Sequence, residues 1–257
     1  MAEAPVVAVV LAAGKGTRMR SERPKVLHEA AGRPLLAWVL DAARSAGCRR
    51  LAVVVGHQAE RVRRAFAGDD GVEWVLQERQ LGTGHALAQV EPHLEDLVGS
   101  GTGTIPEDAL LLVLNGDVPL VAPETLRRLV EAARSHWGAL AVAELDEPGR
   151  LGRVVPRRND PDRLERIVEA ADASGEELAI RTVNAGLYAL PAEIFSYLAR
   201  LDPDNAQGEM YLTDALVAAA DDGRAVHLLR LDDPAEALGV NTWEELARVD
   251  EVLRTRG

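Results

Sequence analysis

The stretch Val6-Val-Ala-Val-Val-Leu-Ala-Ala-Gly-Lys-Gly-Thr-Arg-Met19 decides how the rest of the chain is read. Residues 6–13 form an unbroken apolar run of strand length. Such runs mark parallel strands covered on both faces, because a half-exposed strand alternates. The run opens directly into Gly14-Lys15-Gly16-Thr17. That puts a glycine loop at the carboxyl end of a buried strand, where open α/β sheets bind their ligands.

The same grammar repeats outward. Strand-like runs at 51–55, 72–76 and 110–114 alternate with helical periodicity at 34–46, 58–67 and 84–90, and the run 110–114 ends in Asn115-Gly116-Asp117. A helix at 123–135 and a strand at 139–144 follow. The spacing predicts an α/β fold: a Rossmann-like, doubly wound, mostly parallel (mixed) sheet flanked by helices. After Glu147 the pattern turns β-rich, at 153–155, 164–168 and 181–190, with polar turns at 157–162 and 172–176. Helices are expected again at 191–199 and 212–220, then a strand at 225–231 and a final helix at 242–254. The run Gly99-Ser-Gly-Thr-Gly-Thr104 reads as a flexible surface loop.

Composition narrows the class. The 257 residues carry 29 basic and 41 acidic side chains, a net charge of −12, which disfavours duplex nucleic acid as a partner. No apolar run approaches the roughly 18 residues a membrane span needs. Met1-Ala-Glu-Ala-Pro5 lacks the basic start of a secretory leader, so a cytoplasmic protein is expected. The lone Cys48 gives neither an internal disulfide nor a Cys-based zinc site, and His28 and His85 show no zinc-ligand spacing. All basic residues are arginine except Lys15 and Lys25, which share the glycine-loop stretch. A compact ammonium reaches a single oxygen in a way a planar guanidinium does not.

From Lys15 to Lys25 five cations (Lys15, Arg18, Arg20, Arg23, Lys25) face one anion, Glu22. Glycines admit backbone N–H groups to phosphate oxygens and the cations offset phosphate charge, so this stretch points to a polyanion. It is not a dinucleotide fingerprint, since Met19 stands where a third glycine belongs, nor a Walker A loop. A nicotinamide oxidoreductase would also need an acidic residue ending the second strand, where Val55-Gly56-His57 stands.

The glycine-loop stretch with Pro24-Lys-Val-Leu27, Gln77-Glu-Arg-Gln-Leu-Gly-Thr-Gly-His-Ala86, Asn115-Gly-Asp-Val-Pro119, Asn205-Ala-Gln-Gly-Glu209 with Tyr211, Thr213 and Asp214, and Gly239-Val-Asn241 together resemble the nucleotide-diphospho-sugar pyrophosphorylases. Within them the match is to the uridylyltransferase half of bifunctional bacterial enzymes that make UDP-N-acetylglucosamine. The likeness runs from about residue 6 to about residue 250. It implies a nucleotidyltransferase domain over 1–241, with a nucleotide-binding part of about 1–146 and a sugar-binding part of about 147–241, and a C-terminal helix at 242–257. It implies transfer of UMP from UTP to N-acetylglucosamine 1-phosphate with Mg2+, releasing pyrophosphate; another sugar 1-phosphate, or dTTP, is the alternative. The hexapeptide repeats of the acetyltransferase half do not occur in these 257 residues, so neither that activity nor its trimer is expected of them.

Roles follow from the resemblance residue by residue. Leu11, Ala12, Ala13, Gly14 and Lys15 would border the nucleotide, and Gln77, Gly82 and Thr83 would read the uracil. Arg18, Lys25 and Asp117 would be catalytic, the two cations facing the triphosphate. The attacking phosphate is already anionic, so alignment and charge stabilisation would carry the reaction, a single such cation contributing about 3–4 kcal/mol. Asp117 and Asn241 would hold Mg2+; Asn241 alone would better fit a helix N-cap, and its pairing with Asp117 is what favours the ligand reading. Gly116, Gly152, Glu169, Asn184 and Asn241 would bind the sugar. The family's lysine two residues after this glutamate is Ala171 here, leaving its contact to another group such as Arg181.

Overall fold

The computed structural model of the chain describes residues 4–69, 71–99, 105–106, 108–202 and 208–256. Its first strand, β1 (Val6–Ala12), shows why the opening run is apolar throughout. Val7 and Val9 enter one core layer, Ala8 and Val10 the other, and none is more than 1% exposed. A period of two with both faces covered leaves no position for a polar residue.

A short hairpin, β2 (Glu29–Ala30) and β3 (Arg33–Pro34), leads into α1 (Leu35–Ser45). Then come β4 (Arg50–Val55), α2 (Ala59–Ala65), β5 (Val72–Leu76), α3 (Thr83–Ala88), α4 (Leu94–Val98), β6 (Leu110–Asn115), α5 (Pro123–Ser135) and β7 (Gly138–Glu144). The later chain adds β8 (Arg153–Arg157), β9 (Asp160–Val168), α6 (Gly175–Leu178), β10 (Thr182–Pro191), α7 (Ile194–Leu198), α8 (Leu212–Asp221), β11 (Val226–Arg230) and α9 (Trp243–Arg256). One nine-stranded sheet has the order β5-β4-β1-β6-β10-β7-β11-β9-β8. The first four are parallel neighbours; β10 lies antiparallel to both β6 and β7, and β11 returns parallel to β7. The sheet is therefore mixed, as expected, with parallel and antiparallel neighbours in equal number along this order.

Helices α1 and α5 cover one face through Leu36, Val39, Leu40, Leu126 and Leu129. Helices α3, α4, α7 and α8 cover the other through Leu87, Leu94, Ile194, Leu198, Leu212 and Leu216. A third cluster joins Met19, Leu35, Leu120 and Val240 to Leu246, Val249 and Leu253 of α9. Cys48 is buried, and burial pushes its thiol pKa up to about 11. No helix among the described residues is long and apolar enough to cross a membrane.

Local expectations shift where caps and pairing decide. The segment 172–176, expected to turn, does so at Asp172, but Gly175 and Glu176 start α6, because Ser174 and Glu177 form a reciprocal capping box. The hairpin expected to turn over 157–162 is tighter, since Arg157 already pairs with Asp160. Helix α7 is confined to 194–198. The glycine-rich run of 99–104 lies, after Gly99, outside the described residues, as do residues 205–207 of the Asn205–Glu209 motif.

Candidate active site

The carboxyl ends of β1, β5 and β6 open onto a cavity of about 480 Å3 lined by Leu11, Ala12, Ala13, Gly14, Lys15, Lys25, Gln77, Gly82, Thr83 and Asp117, with Gln80, Asn115 and Glu209. Gly16, at φ +60, lets the loop fold onto Lys25: a Cβ there would lie 2.8 Å from the Lys25 Cβ. Met19 is 2% exposed and sits in the α9 cluster, while Trp243 Nε1 donates to its carbonyl at 3.1 Å. The residue that breaks the dinucleotide pattern thus pins the cationic loop to the C-terminal helix. Of the five cations, Arg23 pairs with Glu29 and Lys25 with Asp117. Lys15, Arg18 and Arg20 have no ion-pair partner among the described residues.

Gln77 is 2% exposed. Its Nε2 donates to the Gly82 carbonyl at 3.1 Å and lies 2.9 Å from His85 Nδ1. Gly82 and Gly84 are required by close approach: a Cβ on either would come within 3 Å of the Met210 carbonyl, and Gly82 has φ +103. Backbone bonds Gly84 N to Met210 O (2.7 Å) and Met210 N to Leu81 O (2.8 Å), with Leu212 N to Thr83 Oγ1 (3.0 Å), strap the loop to the start of α8.

At the far wall, Lys25 Nζ donates to Asp117 Oδ2 and, at 3.0 Å, to Asn241 Oδ1. Arg18 Nη2 donates to the same Asn241 oxygen at 2.7 Å. Asp117 and Lys25 are each about 15% exposed, so the pair is shielded but reachable. Asn241 is not the helix cap: Thr242 Oγ1 accepts from Glu245 N, and Glu245 Oε2 accepts from Asn241 N and Thr242 N. That frees the Asn241 amide for the cluster. A carboxylate and an amide oxygen converging on one positive point form a hard-oxygen pair that suits a divalent cation completing its shell with phosphate and water.

Beyond Asp117 the cleft continues as a second cavity of about 190 Å3, which shares Leu11, Thr83, Asn115 and Asp117 with the first and adds Gly152, Glu169, Asn184, Asn241 and Arg150. The Glu169 carboxylate lies over Gly152, where a Cβ would approach it to 3.2 Å, and accepts from Thr213 Oγ1 at 2.9 Å. Burial first, then the neighbouring Asp214 and Asp172, raise its pKa above the ordinary carboxylate value, against the lowering effect of Thr213. Asn184 is committed at both ends: Nδ2 donates to Tyr188 Oη at 2.8 Å, and Oδ1 accepts from Gly186 N at 2.8 Å. These bonds span the register shift between Asn184 and Tyr188 in the β10–β7 pairing.

A model of the MobA-like NTP transferase domain matches residues 8–220. The chain belongs to the MobA-like NTP transferase family. It is 43% identical over 254 residues, 98% of its length, to a protein named bifunctional protein GlmU from Geobacter metallireducens. It is 47% identical over 246 residues, 95% of its length, to the bifunctional protein GlmU of Burkholderia thailandensis. The chain spans about half the length of these curated relatives, 51% of each. Among solved structures, UDP-glucose pyrophosphorylase complexed with UDP-glucose superposes with a TM-score of 0.75 over 98% of this chain and 100% of that one. At 18% identity that likeness shows the fold.

In this NTP transferase domain some candidates lie apart from the cleft surface. Gly116 is buried beneath it, its N–H donating to the Leu11 carbonyl at 2.9 Å and its Cα packed between Ala12 and Val26. Arg18 reaches the cleft only through Asn241. Arg181 does not replace the missing lysine: it pairs with Asp146 on the surface and lines neither part of the cleft. Among the described residues the cation that does line the second cavity is Arg150. Its loop is stapled by Arg153, 3% exposed, whose guanidinium donates to the carbonyls of Leu151, Gly149 (3.0 Å) and Leu178. Nothing in the local sequence singles out Arg150 among 27 arginines; the loop held by the buried Arg153 brings it to the cavity wall.

Proposed function

We propose that this nucleotidyltransferase domain transfers UMP from UTP to N-acetylglucosamine 1-phosphate, giving UDP-N-acetylglucosamine and pyrophosphate. One observation carries the reading: Asp117, Lys25 and Asn241 meet where the glycine-loop cavity joins the cavity of Glu169 and Gly152. That junction is where an α-phosphate and an attacking sugar phosphate would meet. The relatives named bifunctional GlmU support the substrate pair.

In this reading the loop from Leu11 to Lys15 and the Gln77–Thr83 wall hold the nucleotide. Lys25, released from Asp117, and Arg18 offset charge on the phosphates. Arg150 serves the sugar phosphate from the other side, and Glu169 accepts from a sugar hydroxyl. Asp117 Oδ2 and Asn241 Oδ1 would hold Mg2+, which when bound polarises the phosphate oxygens and draws charge off the transition state. No general base is needed, because the nucleophile is an anionic phosphate oxygen; alignment and fixed positive charge do the chemistry.

Pyrophosphate release measured across UTP, CTP and dTTP against several sugar 1-phosphates tests this. UTP with N-acetylglucosamine 1-phosphate should give the highest kcat/KM. A better pair elsewhere in the matrix overturns the substrate assignment, and no release with any pair overturns the activity.

A further inference from the structure

We infer that His85 is a positioning residue for nucleotide specificity: by accepting a hydrogen bond from Gln77, it leaves that glutamine able to show the base only an acceptor. The inference rests on reading the Gln77 wall as the base-binding side of the cleft.

The argument begins with a group whose role is fixed. The Gly82 carbonyl can only accept, so the Gln77 side-chain atom 3.1 Å from it is the amide nitrogen. The same nitrogen lies 2.9 Å from His85 Nδ1, so Nδ1 must accept as well, and the ring proton sits on Nε2. An amide nitrogen has two hydrogens, and both are now engaged. The Gln77 Oε1 accepts from no group among the described residues. The side chain therefore offers a lone pair and no free N–H.

A uracil ring carries an N–H at position 3, which that lone pair complements. Cytosine has a bare nitrogen there, and two lone pairs would face each other across a site where a missing bond is expensive. Rotating the amide to greet cytosine would set Oε1 against the Gly82 carbonyl. Burial, with Arg79 nearby, holds the His85 pKa below its ordinary value, which keeps the ring neutral at neutral pH. His85 lines neither cavity, and so acts through Gln77.

Three variants and one spectrum test this. His85→Leu frees one Gln77 N–H, and should cut the ratio of kcat/KM for UTP over CTP by about tenfold, through KM, with kcat for UTP retained. His85→Asn, whose Oδ1 can take the place of Nδ1, should restore most of the ratio. Gln77→Leu should abolish the ratio altogether. An unchanged ratio in a folded His85→Leu protein, or a loss in His85→Asn as large as in His85→Leu, overturns the inference. Nitrogen NMR of the wild-type histidine rings covers the case where the leucine variant does not fold. Nδ1 should be bare and Nε2 protonated at pH 7, and the opposite tautomer overturns the inference. A wild-type chain that does not prefer UTP would overturn the nucleotide assignment itself, and the spectrum reads His85 independently of that.

Discussion

The two ends of the cleft are built on opposite plans. At the glycine-loop end, positive charge is left without counter-charge: Lys15, Arg18 and Arg20 have no ion-pair partner among the described residues, Arg18 donating instead to the neutral Asn241 amide, and Lys15 stands exposed on the cavity wall. At the sugar end the polar groups hold one another: Glu169 with Thr213, and Asn184 with Tyr188 and Gly186. The difference fits what the proposed reaction would ask of each end. A polyanion is gripped by charges free to turn toward it, while hydroxyl positions are distinguished by acceptors that cannot turn. Asp117 belongs to both cavities, so the comparison breaks or holds there first.

Asp117→Asn should give the largest effect. Turnover should drop by at least a thousandfold, because the carboxylate charge that would hold Mg2+ is gone, while the melting temperature moves by only a few degrees. Were the Lys25–Asp117 pair instead a structural one, leaving Lys25 without its counter-charge would remove about 3–5 kcal/mol of stability. Activity and thermal unfolding of the same preparation separate the two. A folding collapse would make the junction a scaffold.

A matched pair of glycine substitutions sharpens the contrast. Gly82→Ala puts a Cβ 2.5 Å from the Met210 carbonyl at a φ of +103, so backbone has to move. Strain of about 1–3 kcal/mol should lower the melting temperature and raise KM for UTP tenfold or more. Gly152→Ala meets only the Glu169 carboxylate, at 3.2 Å, and the glycine is not in the left-handed region. A side chain gives way more easily than a backbone, so this variant should keep its stability and raise KM for the sugar phosphate a few-fold. Steady-state kinetics with each substrate varied in turn checks both. If Gly152→Ala proves the less stable protein, the plans assigned to the two ends are reversed.

The same contrast explains how much could be read from the residues alone. The glycine-loop end is written in contiguous segments at the carboxyl ends of parallel strands, so Gly14 to Lys25 and Asn115 to Asp117 announce themselves by position. The sheet class was legible for the same reason. The sugar end is assembled from β8, β9, β10 and the start of α8, where antiparallel pairing brings together residues far apart in the chain. Arg150 could not be told from any other loop arginine, and Arg181, which looked like a substitute for the missing lysine, turns to Asp146. Met19 was legible only as a broken motif; its use as an anchor under Trp243 needed α9 in place. His85 drew attention only as a possible zinc ligand, because the role inferred for it lies in a tautomer, which no spacing displays.

Glu169 gives the smallest and most diagnostic effect. Its carboxyl group is held above its ordinary value of 4.5, chiefly by burial and then by Asp214 and Asp172. The native state therefore binds this proton more tightly than the unfolded chain does, and the linkage has a definite sign. Below the ordinary value the group is protonated in both states and takes nothing from stability. As pH rises through the window between the ordinary and the raised value, the unfolded chain ionises while the folded site still holds its proton, so stability falls, and above that window the loss is constant. Glu169→Gln keeps an oxygen for Thr213 and removes the charge. Its melting temperature should match the wild type near pH 4 and exceed it by a degree or two at pH 7.5, while KM for the sugar phosphate rises. Asp214, raised by burial and Asp172, remains in the variant and leaves some of the slope in place. A pH series of melting temperatures on both proteins measures the difference directly. A variant less stable than wild type at every pH would mean that the Glu169 charge supports the fold, and the sugar end would then have no strained acceptor to offer its ligand.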